Sequence, residues 1–224
     1  MPSRSTKFVN KGIYHIYDKT IDHKLVFNQA LISSRFLDLC SYYRSSAATL
    51  RFSLFSRMSK KFKDPIIEQI NDGETHLVDI IAYCLMPNHF HLLLMQKQKN
   101  GVVRFMSDIT NAITRYYNEL NERKGPVFLP QFRSKRIIST QQLKHVSRYI
   151  DLNPLAANLC SSINALIEYE YSSLKEYAHH YNGLCNQEIL LQEFGGSVEE
   201  YIKYVKDGFG GLDSYDDEDF LEEV

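Results

Sequence analysis

Residues 77–95 read LVDIIAYCLMPNHFHLLLM, and this stretch decides the fold. Its two apolar runs, 77–85 and 89–95, have the length and the side chains typical of β-strands. The residues between them supply a turn, because Pro87 cannot donate to a strand ladder and Asn88 tolerates turn conformations. The stretch therefore predicts a β-hairpin.

The second strand of this hairpin carries two histidines one residue apart. Alternate side chains of a strand point to one face, so His89 and His91 project together, with Cα atoms roughly 7 Å apart. Phe90, Leu92 and Leu94 point the other way and can pack on helices. Two imidazoles on an apolar strand need a ligand, a hydrogen bond or solvent, because burying them without partners costs free energy. The spacing alone leaves open a metal site and a pair of ordinary histidines.

A second polar pattern lies downstream, in a helix predicted from about Gln141. His145, Tyr149 and Asn153 recur at every fourth position, so they share one face of that helix. A tyrosine hydroxyl beside an amide and an imidazole could attack a phosphodiester near a metal ion. A half-buried tyrosine with two polar neighbours is the other interpretation of this spacing. Pro154 is expected to end or bend the helix, because the residue before a proline disfavours the helical region.

The remaining segments predict a mixed α and β domain. Apolar residues recur at steps of three and four in 28–43 and 101–121, which predicts two helices. Strands are predicted for 12–17 and for part of the basic segment 131–138. Residues 44–75 are basic, and their structure is left open.

Charge divides the chain into two parts. Residues 1–164 carry 23 Lys and Arg against 12 Asp and Glu, whereas residues 165–224 carry 3 against 15. A basic body with an acidic tail is a pattern of nucleic-acid binders. A solvated acidic tail beside an ordinary basic surface explains the same numbers. Residues 101–150 hold nine Lys and Arg against three acids, a patch that can follow a phosphate backbone.

Composition argues against several other classes of protein. The chain is 44% hydrophobic and 12% aromatic, enough to bury a core. It has neither a run of eighteen apolar residues nor an apolar signal-peptide core, so we expect a cytoplasmic protein without a membrane span. The cysteines form no Cys-x-x-Cys pair, so reduced thiols are expected rather than a zinc knuckle. They are Cys40, Cys84, Cys160 and Cys185.

Several segments together resemble the single-tyrosine HUH transposases, and most of all the branch associated with repetitive extragenic palindromes (REP). AYCLMPNHFHLLL at 82–94 resembles the HUH segment of that family, and HVSRYIDLNP at 145–154 resembles its tyrosine helix. The family's first strand, intervening helix and basic strand are similar to GIYHIYDK at 12–19, RYYN at 115–118 and FLPQFRSK at 128–135. The resemblance covers about residues 8–160, and the motifs follow the expected order.

The resemblance implies an α+β fold, in which helices flank a central antiparallel sheet related to ferredoxin-like and RNA-recognition folds. It assigns His89 and His91 to a metal site, Asn153 to the amide that completes it, and Tyr149 to the nucleophile. His145 is a candidate for a proton-handling or supporting group. The implied reaction is cleavage of single-stranded or hairpin DNA, which leaves a 5′-phosphotyrosine and a free 3′-hydroxyl. Family members act as monomers or homodimers.

The sequence offers more than one candidate for the metal ion, for the nucleophile and for the DNA contacts. Two imidazoles favour Zn or Mn over Mg, but the resemblance implies Mg²⁺ or Mn²⁺ with phosphate oxygens and waters completing the shell, and we predict one of these two. Tyr116 and Tyr117 are rival nucleophiles, although they belong to the apolar stripe of their helix. The predicted DNA contacts are Arg115, Arg133, Lys135, Arg136 and Arg148.

Three features depart from the family pattern. LPQ at 129–131 replaces a glycine-containing turn, and 44–75 looks longer than typical. Asp151 stands where many relatives carry histidine, which is expected to place a carboxylate near the nucleophile.

We divide the chain into an HUH domain at 8–165, with a basic insertion at 44–75, and a partly helical acidic extension at 166–224. Its tail from about 213 is expected to be mobile.

The sequence predicts a metal-dependent, site-specific single-stranded DNA endonuclease and strand transferase, acting as a transposase or a domesticated relative. Two other hypotheses stay open. One is a non-catalytic nucleic-acid-binding protein on the same fold, and the other is a metal phosphodiesterase that uses water. Retention of His89, His91, Tyr149 and Asn153 argues against the non-catalytic hypothesis, because a retired site need not keep all four.

Overall fold

Four antiparallel strands form the centre of the molecule. The computed structural model describes residues 6–208, and its strands are β1 (Ile13–Lys19), β2 (Val78–Met86), β3 (His89–Gln96) and β4 (Arg133–Ile137). Their order in the sheet is β2-β3-β1-β4, and every neighbouring pair is antiparallel. The predicted hairpin and the predicted α+β fold class are confirmed.

Helices flank the sheet on both faces. In chain order they are α1 (Ala30–Tyr43), α2 (Phe52–Phe55), α3 (Lys60–Asn71), α4 (Gly101–Leu120), α5 (Thr140–Ala156), α6 (Ile163–Ile167), α7 (Ser173–Ala178), α8 (Gln187–Leu191) and α9 (Val198–Asp207). The helices predicted over 28–43 and 101–121 are confirmed as α1 and α4. The basic stretch 44–75 is mostly helical, and Phe55 and Ile70 tie it to the core.

The two faces of the sheet have different chemistry. Phe90, Leu92 and Leu94 lie on the face that packs with α1 and α4 in one apolar core. Side chains of β3 alternate, so His89 and His91 lie on the other face, which α5 covers. The sheet therefore separates an apolar face from the face that carries the histidines.

Helix α5 begins where the sequence predicts and extends past Pro154. The Ser139 side chain caps it by accepting a hydrogen bond from the backbone N–H of Gln142. Pro154 was expected to end or bend the helix, and it does not end it, since α5 runs through Pro154 to Ala156. Pro154 has no N–H, so α5 lacks the one backbone hydrogen bond that this N–H would donate four residues back. The Pro154 carbonyl instead accepts hydrogen bonds from the N–H groups of Leu159 and Cys160.

Helices α6 to α9 pack against α5 and share its core. A second apolar core lies on the α5 side of the sheet. It buries Ile150 of α5 together with Leu166, Leu174, Tyr177 and Tyr201. The region 163–208 is therefore continuous with the rest of the structure. The acidic tail expected from about 213 lies outside the described residues.

Two further predictions concern the state of the cysteines and the absence of a membrane-spanning segment. All four cysteines are free thiols, and three of them are buried. Within residues 6–208, each helix is too short or too polar to cross a membrane.

Candidate active site

The neighbouring strand β1 completes the face around the histidine pair. The antiparallel register sets Tyr17 of β1 directly opposite His91 and Lys19 opposite His89. His91 is 1% exposed and His89 is 9% exposed. The pair is therefore inside the protein, at the end of the sheet where the hairpin turns.

Hydrogen bonds fix how each histidine presents its ring. The Nδ1 of His89 lies 2.8 Å from Oδ1 of Asn88. An amide oxygen can only accept, so Nδ1 of His89 donates and the lone pair of the neutral ring is on Nε2. The Nδ1 of His91 lies 2.9 Å from Nε2 of His15. The Nε2 of His91 is buried and has no hydrogen-bond partner among the described residues.

The environment of His91 favours its neutral form. Burial lowers the pKa of His91 well below its ordinary value, and the nearby His89, His15 and Lys19 lower it further. A neutral imidazole has a lone pair to offer, and this is the form that binds metal ions.

Helix α5 carries Tyr149 across the histidine face. The Tyr149 ring is 7% exposed. It meets the His91 ring edge-on, with centroids 5.5 Å apart, and the His15 ring at 5.9 Å. The structure thus brings together the predicted nucleophile and the predicted metal-binding pair, although they lie about sixty positions apart in the sequence.

Asn153 and His145 flank Tyr149 on the same helix. Asn153 is 7% exposed, and its amide Nδ2 donates to the Tyr149 carbonyl at 2.8 Å. That bond does not use Oδ1, which is the atom a cation would need. His145 is half-buried one turn earlier, where burial and then the charge of Arg148 lower its pKa.

The donor set fits a divalent cation. A buried Nε2 of His91 without a hydrogen-bond partner is costly unless a ligand satisfies it. Within residues 6–208 no three His, Cys, Asp or Glu side chains form a cluster that could hold a metal. The predicted third ligand is an amide, Asn153, and oxygen ligands from outside the chain would complete the shell.

Three other tyrosines can be compared with Tyr149. Tyr116 and Tyr117 lie on α4, against the core on the opposite face of the sheet. The Tyr17 ring lies closer to the site and stacks on His91, with centroids 5.9 Å apart. Tyr17 is therefore the competing tyrosine that the structure adds.

The predicted DNA-contacting residues fall on different surfaces. Arg133 and Lys135 of β4 pair with Tyr17 and His15, so they share the histidine face. Arg136 points to the other face by strand alternation. Arg115 lines a cavity of about 390 Å³ between α1 and α4, with Arg35 and Arg51. The guanidinium of Arg148 lies 4.3 Å from the centroid of the Tyr204 ring on α9.

Asp151 does not place a carboxylate beside the nucleophile, and this expectation is wrong. Positions two apart on a helix face different sides. Asp151 is fully buried against α7 and α9, where it accepts hydrogen bonds from Tyr201, from Ser173 at 3.1 Å and from Ser172 at 3.5 Å. The carboxylate therefore joins α5 to the C-terminal helices.

The buried Asp151 should make stability depend on pH. Burial raises its pKa to about 7, and the hydrogen bonds from Tyr201, Ser173 and Ser172 act in the opposite direction. The ordinary value is 3.8, so between these two values the folded state binds more protons than the unfolded state. The free energy of unfolding therefore falls as the pH rises through this range.

Asp151→Asn should remove this fall in unfolding free energy with rising pH, because an amide does not titrate. From pH 5 to pH 8 we expect the unaltered protein to lose about 2–3 kcal/mol of unfolding free energy relative to the variant. Urea denaturation at the two pH values measures the difference. Asp22→Asn, at an exposed site, is the control and should follow the unaltered protein. Parallel pH profiles for Asp151→Asn and the unaltered protein would contradict this assignment.

The sequence prediction missed His15 and Tyr17 as neighbours of the site. The alternation in GIYHIYDK indicates that they share a face of β1. Nothing local in the sequence says that β1 lies beside β3. Their contacts with His91 emerge only from the order of the strands.

A histidine pair on the central sheet beneath a helix that carries a tyrosine is the arrangement of the single-tyrosine HUH class, which the sequence resemblance indicated. A family model for IS200-like transposases matches residues 37–153, more than half of the chain. That match contains His89, His91 and Tyr149 and ends at Asn153. The chain belongs to this family of DNA-processing enzymes.

A solved structure supports the fold. A REP-associated tyrosine transposase bound to a REP hairpin superimposes with a TM-score of 0.51 at 13% sequence identity. The match covers 81% of this chain and 89% of that chain. At such low identity the similarity concerns the fold. No curated protein matches the sequence.

Proposed function

We propose that the protein cleaves and rejoins single-stranded DNA with Tyr149 as nucleophile and a divalent cation, Mg²⁺ or Mn²⁺, at the histidine pair. The observation that supports this most strongly is the edge-on contact of Tyr149 with His91, at 5.5 Å between ring centroids. The family membership supports the broader role in DNA processing.

The covalent step would be a phosphoryl transfer. The Tyr149 hydroxyl oxygen bonds to the scissile phosphorus, and the bond between phosphorus and the 3′ oxygen breaks. The phenolic proton is lost and the 3′ oxygen gains one, so the products are a 5′-phosphotyrosine and a 3′-hydroxyl. The tyrosyl ester conserves the bond energy, and a second 3′-hydroxyl can reverse the step without ATP.

His89, His91 and Asn153 would hold the cation. When bound, the cation would withdraw charge from the scissile phosphate and stabilise the leaving oxygen. Asn88 and His15 hold the histidine rings in place. Helix α5 holds Tyr149 over them, in a nearly buried position where few waters compete.

The proposed catalytic unit is the region 8–165, and the helices from 166 support α5 through Tyr201 and Asp151. The DNA would lie along the basic strand β4, whose Arg133 and Lys135 share the face of the site. We propose hairpin-forming DNA as the substrate class. The structural relative, which is bound to a REP hairpin, supports that choice.

The double variant Arg133→Ala/Lys135→Ala should weaken binding of hairpin DNA and lower its salt dependence. Each phosphate contact that is lost reduces the slope of log Kd against log salt by about 1, so the double variant should lose about 2. Fluorescence anisotropy over a salt series measures both quantities. Arg136→Ala, on the other face of the same strand, should change the slope less. Equal slopes for the double variant and the unaltered protein would contradict this DNA surface.

One assay separates the three functional hypotheses. The protein is incubated with a labelled single-stranded DNA hairpin and Mn²⁺, and the products are separated on a denaturing gel. A DNA–protein adduct that resists denaturation supports the proposed function. Cleavage without an adduct would favour a phosphodiesterase that uses water, and binding without cleavage a non-catalytic protein.

A further inference from the structure

A third histidine lies behind the proposed metal site. His15 is in the middle of β1 and is 1% exposed. Its ring stacks on that of His91, with centroids 5.1 Å apart and an interplanar angle of 19°. Its Nε2 lies 2.9 Å from Nδ1 of His91, on the side of the His91 ring away from Nε2.

A hydrogen bond between two imidazole nitrogens requires one N–H and one lone pair. The proton of a neutral His91 is on either Nδ1 or Nε2. If it were on Nε2, a buried N–H would have no acceptor among the described residues. If it is on Nδ1, the N–H donates to Nε2 of His15. The second arrangement satisfies the donor.

The same arrangement occurs at the other histidine. Asn88 accepts from Nδ1 of His89, which leaves the lone pair of His89 on Nε2. The acceptor for His89 is the amide oxygen of Asn88, and the acceptor for His91 is Nε2 of His15. Both rings then present Nε2 lone pairs, and partners of this kind orient the ligands in many metal sites.

We propose that His15 is a positioning residue, which accepts the Nδ1 hydrogen of His91 and thereby holds the His91 Nε2 lone pair ready for the divalent cation. This inference rests on the proposed function for the identity of the ligand. The hydrogen-bond direction that it assigns is a property of the protein without metal.

Two measurements test the role of His15. The first is a long-range ¹H–¹⁵N NMR correlation on the unaltered, metal-free protein, in which protonated and unprotonated ring nitrogens of His91 have different ¹⁵N shifts. The second is Mn²⁺ affinity by electron paramagnetic resonance for the unaltered protein, His15→Ala and His15→Gln. The glutamine keeps a hydrogen-bond acceptor at the end of its side chain, whereas alanine removes it.

We expect His91 to be protonated on Nδ1 in the unaltered protein. We expect Mn²⁺ to bind about 10- to 100-fold more weakly to His15→Ala, and His15→Gln to recover most of the affinity. A proton on Nε2 of His91 would overturn the inference whether or not metal binds. Equal Mn²⁺ affinity for all three proteins would also overturn it, and would leave the proposed metal site intact. If the unaltered protein binds no Mn²⁺, the proposed metal site fails, and the NMR result still decides the role of His15 in the metal-free ring.

Discussion

Tyr149→Phe is expected to abolish the covalent DNA adduct and to slow cleavage by at least about 1,000-fold, because it removes the nucleophile and nothing else. The ring would keep its edge-on contacts with His91 and His15. The fold and the affinity for hairpin DNA should therefore remain close to those of the unaltered protein. A time course with labelled hairpin DNA and Mn²⁺ measures the rate, and anisotropy measures the affinity.

Two other tyrosines provide the matched variants. Tyr17→Phe changes the other tyrosine of residues 6–208 whose ring contacts that of His91. Tyr116→Phe changes a tyrosine on the opposite face of the sheet. Both variants should form the adduct at a rate close to that of the unaltered protein. The assignment of Tyr149 would be wrong if Tyr149→Phe formed adduct normally, and loss of adduct in Tyr17→Phe alone would transfer the role to Tyr17.

Loss of either histidine should have the second-largest effect. His89→Ala and His91→Gln each remove an imidazole from the proposed metal site. Changes to residues that only orient a metal ligand typically cost about 10- to 100-fold in metal affinity or activity, so loss of a ligand should cost about 100-fold or more. The cleavage rate over a range of Mn²⁺ concentrations measures the effect, and high Mn²⁺ should restore part of it.

The control for these variants is a histidine away from the site. His179 follows α7, is about half exposed and contacts Glu168 at 2.8 Å. His179→Ala should leave the Mn²⁺ dependence of cleavage unchanged. If His89→Ala and His91→Gln responded to Mn²⁺ as the unaltered protein does, the metal would bind elsewhere. A melting temperature for each variant separates loss of ligand from loss of fold, since His91 is buried.

The parts of the site that follow local periodicity were predictable from the sequence. A period of two places His89 and His91 on one face of β3, and a step of four places Tyr149 and Asn153 on one face of α5. The turn at Pro87 indicated the hairpin. These patterns depend on near neighbours along the chain, so tertiary packing did not change them.

The rest depends on contacts between distant segments. His15 contacts His91 because β1 lies between β3 and β4, an order that no single segment encodes. Asp151 was expected near the nucleophile, but its side chain turns to Tyr201, fifty positions later. The basic stretch 44–75 forms α2 and α3, and these helices are stabilised because Phe55 and Ile70 pack into the apolar core.

The most direct test of the central claim is to identify the amino acid that becomes attached to DNA. The adduct formed with hairpin DNA and Mn²⁺ is digested with protease and nuclease, and the modified peptide is sequenced by mass spectrometry. The proposed function predicts a single modified residue, Tyr149, carrying the 5′-phosphate of the cleaved strand. Attachment at Tyr17 or at any other residue, or cleaved DNA with no modified peptide, would contradict it.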